Sequence, residues 1–68
     1  MYEYVYMNSR EIIAALTRAG WRQVAQKGSH VQFKHPDKSG RVTVPHPERD
    51  IPVGTLHSIE RQSGLKLK

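Results

Sequence analysis

The order of apolar and polar positions along the chain switches between helical and strand spacing. Ile12, Ile13, Leu16 and Ala19 recur at helical spacing, and the stripe predicts a helix over residues 9–19. Asn8 stands at its N-cap with Glu11 three residues on, a capping box, while Met7 and Ile12 occupy the positions of a hydrophobic staple. Gly20 supplies the left-handed residue that ends it. Three short segments follow, separated by turn chemistry: WRQVAQ over 21–26, SHVQFKH after Gly28, and RVTV over 41–44 after the Pro-Asp-Lys-Ser-Gly turn at 36–40. In the second, Val31 and Phe33 share one face, and His30, Gln32 and Lys34 the other. In the third, Val42 and Val44 oppose Arg41 and Thr43. Pro45, Pro47 and Pro52 then interrupt regular structure, with Pro52 suited to the first turn of a second helix whose stripe is Val53, Leu56 and Ile59 and whose end is Gly64. Upstream of all this, Tyr2, Tyr4 and Tyr6 alternate with Glu3 and Val5 at strand period, and this run is read as a loose N-terminal extension.

The element order is thus α-β-β-β-α. Each helix has one apolar stripe and the three-stranded antiparallel sheet one apolar face, so the economical packing places both helices on one side and leaves the other open. That is an α+β fold with the architecture of double-stranded-RNA-binding domains. At 68 residues the chain is one small domain, and a domain of about this size buries only roughly 60% of the surface its unfolded chain exposes. A thin core follows, with no room for a deep cofactor cavity.

Charge sharpens the picture. Eleven Lys and Arg face six Asp and Glu, and Arg22–His46 holds five basic residues against one acid, so net +4 of the total +5 falls on the sheet segment. A basic open face is the footprint of a nucleic-acid binder. No cysteine is present, which removes disulfides, thiolate zinc sites and thiol nucleophiles, and no apolar run approaches a signal-peptide core or a membrane span. A cytoplasmic location without membrane association is expected.

The four histidines are the residues able to do chemistry. His30 and His35 lie on opposite faces of one strand, and His46 and His57 have no ligand at i+3 or i+4, so no metal site and no cofactor are expected. His35 and His46 precede prolines and are read as solvated loop residues. His30 differs. It follows Gly28 and Ser29 on the basic face, with Lys27 before it and Lys34 beside it. An imidazole among phosphate-binding cations suits removal of a proton from a ribose 2′-hydroxyl. Gly28 would admit backbone amides close to a phosphate, and Ser29 could donate a hydrogen bond to it. A non-catalytic RNA-binding module using the same face is the alternative reading.

From Met7 to Leu65 the chain resembles the HicA family of small toxins from type II toxin–antitoxin modules. The stretches MNSREIIAALTRAGW, QKGSHVQFKHP, GRVTVPHP and IPVGTLHSIERQSGL carry the resemblance. It implies the double-stranded-RNA-binding-domain-like fold, a ribosome-independent endoribonuclease cutting mRNA, and a HicB-type antitoxin that covers the toxin. The family's catalytic histidine lies in its GSH motif, which places the role on His30. The remaining expected RNA-binding residues are Lys27, Gly28, Ser29, Lys34 and Arg41, on a toxin monomeric when alone. Residues 1–6 precede the family's usual start, leaving 7–68 as the toxin domain and Met7 as a candidate initiator.

Overall fold

In the computed structural model, which describes residues 7–67, the elements follow in the order α1 (Ser9–Arg18), β1 (Arg22–Lys27), β2 (His30–His35), β3 (Lys38–Pro45) and α2 (Val53–Ser63). The Tyr-rich run and the proposed extension at 1–6 lie outside the described residues.

Helix α1 begins as its sequence dictates. The Asn8 side chain accepts the Glu11 amide at 2.9 Å, and the Glu11 carboxylate accepts the Asn8 amide at 2.9 Å. Both orphan donors are satisfied reciprocally. Met7 packs against the core in its staple position. Pro52 is the N-cap of α2, one position earlier than the sequence suggested, and Gly64 ends that helix at φ 76.

The sheet is antiparallel in the order β1-β2-β3. Ile12 and Leu16 of α1, Leu56 and Ile59 of α2, Val31 and Phe33 of β2, Val42 and Val44 of β3, with Trp21 and Ile51 from the connections, form one buried cluster. Removing each such apolar side chain from water contributes about 1.5–3 kcal/mol. Both helices rest on β3. Every residue of β1 is exposed, so this edge strand stands clear of the helical layer.

Two irregularities shape the sheet. Gln23 pairs with Phe33 but Ala25 with Gln32, leaving Val24 as an extra residue in β1. Phe33 pairs with Val42 while His35 pairs with Lys38, so β3 bulges over Ser39–Arg41, where Gly40 adopts φ 82. The turn expected over 36–40 is therefore only Pro36 and Asp37. Pairing of Lys38 with His35 draws the next residues into the strand, and glycine absorbs the bulge.

Candidate active site

Cross-strand partners share a face of a sheet, so the register alone assembles the open side. Lys27 pairs with His30, Ala25 with Gln32 and Arg22 with Lys34. On the other flank His30 pairs with Pro45 and Gln32 with Thr43. Lys27, His30, Gln32 and Lys34 consequently lie on the side away from Val31 and Phe33, which are buried under the helices. Arg41 joins them through a hydrogen bond from its guanidinium to the Gln32 side-chain oxygen. Lys27, His30, Lys34 and Arg41 are all exposed. The fold thus gathers the expected cationic residues and the expected imidazole onto one surface.

Gly28 and Ser29 form the two-residue turn that closes β1 onto β2. Gly28 has φ 57 while Ser29 has an ordinary negative φ, the pattern of a hairpin with glycine first. Gly28 is thereby required by the turn itself. A Cβ there would meet open space, so backbone conformation and not crowding selects glycine. Gln26 caps the turn by donating from its side-chain nitrogen to the Gly28 carbonyl at 3.2 Å. The Ser29 carbonyl accepts the His46 amide at 2.7 Å, which ties the turn to the chain leaving β3. His30 is the first strand residue after this braced turn.

Two histidines differ from their expected role as solvated loop residues. His35 is half-buried at the end of β2, where Nδ1 accepts the Asp37 amide at 3.0 Å. That leaves the ring proton on Nε2, which donates to the Ala19 carbonyl at 3.1 Å. The ring also stands edge-on to Trp21, with centroids 5.3 Å apart. His46, half-buried as well, has Nδ1 hydrogen-bonded to Ser9 Oγ at 2.6 Å, and the peptide that follows it is cis. A proline after each histidine signalled a turn correctly, but the partners come from α1 and its C-terminal end, which local sequence does not display.

Lys38 also departs from the basic face. Its ammonium turns to the C-terminal end of α2, 3.5 Å from the Ser63 carbonyl, where the helix dipole favours a cation. Arg22 takes the reverse course: counted in the basic segment but not among the expected site residues, it joins the open face through its pairing with Lys34. Among the described residues no group of three His, Asp or Glu is close enough to hold a metal ion. No helix among them is long and apolar enough to cross a membrane.

Comparison with known proteins adds independent information. Residues 9–65 match the family model described as HicA toxin of bacterial toxin–antitoxin. Among solved structures, a chain of the HicA3 and HicB3 toxin–antitoxin complex is similar to this one with a TM-score of 0.80 and 33% identity, over 91% of this chain and 100% of that one. No curated protein matches.

Proposed function

The chain belongs to the HicA toxin family and is the toxin of a toxin–antitoxin module, and from that premise we propose that it is an endoribonuclease cutting mRNA at His30. The observation that carries the reading is the placement of His30: exposed, first in β2 after a braced turn, and paired with Lys27 on the cationic face. The imidazole takes the proton of a ribose 2′-hydroxyl, whose oxygen attacks the adjacent phosphorus. The 2′-oxygen–phosphorus bond forms, the bond to the 5′-oxygen breaks, and the imidazolium is the proton donor at hand for that leaving oxygen. Lys27, Lys34 and Arg41 hold phosphates along the strand, and the Gly28–Ser29 turn presents its backbone and hydroxyl beside them. The activity belongs to the cytoplasm, where mRNA is available.

The same reading supplies the partner. A HicB-type antitoxin neutralises the toxin by laying acidic and apolar surface over the open face, covering His30 and contacting Lys27, Lys34 or Arg41. The family assignment and the toxin–antitoxin complex that contains the similar solved chain support this.

The deciding experiment is induction of the wild-type chain beside His30→Ala in a host without antitoxin, with purified proteins assayed on RNA. Loss of growth arrest and of cleavage in a variant that melts as wild type does is the expected result, since exposed substitutions usually move stability by only about 0.5 kcal/mol. Growth arrest retained by His30→Ala would defeat the catalytic assignment. RNA that is bound but left intact by wild type, with binding lost as Lys and Arg are removed, would mark a non-catalytic RNA-binding module.

A further inference from the structure

The open face does not end at the residues around His30. Where it meets the end of β2, Arg22 and Lys34 of that face, with Val24, Pro36 and, from the reverse side, His35 and Lys38, line a cleft of about 660 Å³ that contains no carboxylate. Asp37, the one acid of the sheet segment, is not among its lining residues and instead lines an adjoining cleft that shares Arg22, His35 and Pro36 with this one. Arg22 and Lys34 are direct cross-strand partners. Like charges opposed in this way destabilise a sheet, so the pair is a cost to the fold that a bound anion relieves. The bulge at Val24 leaves that side chain 49% exposed beside them, and with Pro36 it gives the cleft an apolar wall next to two cations.

We propose that this cleft is a distal subsite for the RNA strand cut at His30, with Arg22 and Lys34 seating a phosphate and Val24 and Pro36 contacting the base next to it. The inference rests on the endoribonuclease reading and extends it by a second point of attachment. Continuity argues for RNA as the occupant. Lys34 lies four residues along β2 from His30 and on the same face, a separation of about 13 Å at ordinary strand rise. A strand engaged at His30 reaches the cleft by following β2, with Gln32 and Arg41 between. Lys38, a β3 residue whose ammonium donates to the Ser63 carbonyl, adds its positive field from the C-terminal end of α2.

The test uses the His30→Ala protein, which leaves RNA uncut. Binding of an RNA of roughly 12 nucleotides is compared with that of a trinucleotide over a range of salt, in backgrounds carrying Arg22→Gln or, as a control of equal charge at the start of α1, Arg10→Gln. Arg22→Gln should weaken the longer RNA about fivefold at low salt and reduce the slope of log affinity against log salt by about 0.7, the loss of one phosphate contact to a single strand. Trinucleotide binding should stay within about twofold. Arg10→Gln should leave the slope unchanged. Equal losses for both RNAs, or the same loss from Arg10→Gln, would overturn the subsite while the endoribonuclease reading stands. If the longer RNA bound to none of the proteins, the subsite and the reading beneath it would fall together.

Discussion

The hydroxyl of Ser9, in the first turn of α1, lies 2.6 Å from Nδ1 of His46, 37 positions later in the chain. The same oxygen accepts the Glu48 amide at 3.0 Å, and the Ser9 amide donates to the Glu48 carbonyl at 2.8 Å. Because the His46 amide in turn donates to the Ser29 carbonyl, an unbroken path of bonds and hydrogen bonds runs from the α1 N-terminus to the turn preceding His30. The proposed base is exposed, but the backbone that presents it is braced from a buried serine. Rigid support beneath an accessible imidazole is what positioned acid–base chemistry requires.

Ser9→Ala tests that bracing. Ser9 is 2% exposed, and truncation leaves the Glu48 amide and His46 Nδ1 without their shared partner, a loss of about 1–3 kcal/mol for partly buried groups. In a domain of this size each kcal/mol lowers the melting temperature by roughly 4–8 °C. A calorimetric melt indistinguishable from wild type would show that the network is dispensable.

Gly20 and Gly40 form a controlled pair. Both have positive φ, 97 and 82, but a Cβ at Gly20 would come within 2.9 Å of His35 Nε2 whereas at Gly40 nothing lies within 4 Å. Gly40→Ala should cost only the backbone strain, about 1–3 kcal/mol. Gly20→Ala adds displacement of the His35 ring from Ala19 and Trp21 and should be the more damaging in urea denaturation. The reverse order would remove the packing role assigned to His35.

The two helices, the three strands and the faces of β2 and of the end of β3 were legible because they depend on local period and on cap and turn residues such as Asn8, Gly20 and Gly64. The positions of His30, Lys34 and Arg41 on one surface followed from alternation, whereas Lys27 stood out by its nearness in sequence and reaches that surface through its pairing with His30. What could not be read was set by partners distant in sequence. Nothing near His35 points to the Ala19 carbonyl, and nothing near His46 points to Ser9. The place of Arg22 beside Lys34 depends on the one-residue bulge at Val24, since a shift of one residue reverses the face of every side chain beyond it. The Lys38 ammonium turned to α2 because Lys38 joined β3 instead of the turn.

If the nucleophile is the ribose oxygen and His30 its base, the products are fixed by chemistry. Each cut should leave a 2′,3′-cyclic phosphate and a 5′-hydroxyl, and substrates with a 2′-deoxy residue at the cleaved position should be inert. Cleavage should persist in EDTA, because the attacking oxygen is activated by an imidazole and not by a metal-bound water. Mass spectrometry of the fragments decides the point. Inhibition by EDTA that a divalent ion reverses, or a 5′-phosphate product, would rule this chemistry out.

The antitoxin and the RNA are proposed to compete for one cationic surface, so a single charge change should register with both. Lys34→Glu removes a cation from the end of the open face away from His30 and adds an anion beside Arg22, its cross-strand partner. Association with an acidic partner is steered by such charges at long range, whereas dissociation depends on contacts already formed. The variant should therefore lose more in association rate than it gains in dissociation rate, and the difference should shrink as salt shortens the screening length toward about 8 Å near physiological strength. RNA affinity should fall in parallel. His30→Ala should leave antitoxin affinity within about tenfold of wild type, or ~1.4 kcal/mol, because it takes little from the interface. Surface plasmon resonance at two salt concentrations measures both rates. An antitoxin indifferent to Lys34→Glu, or one that protects only α1 and α2 from amide exchange, would place inhibition away from the open face and require that it act at a distance.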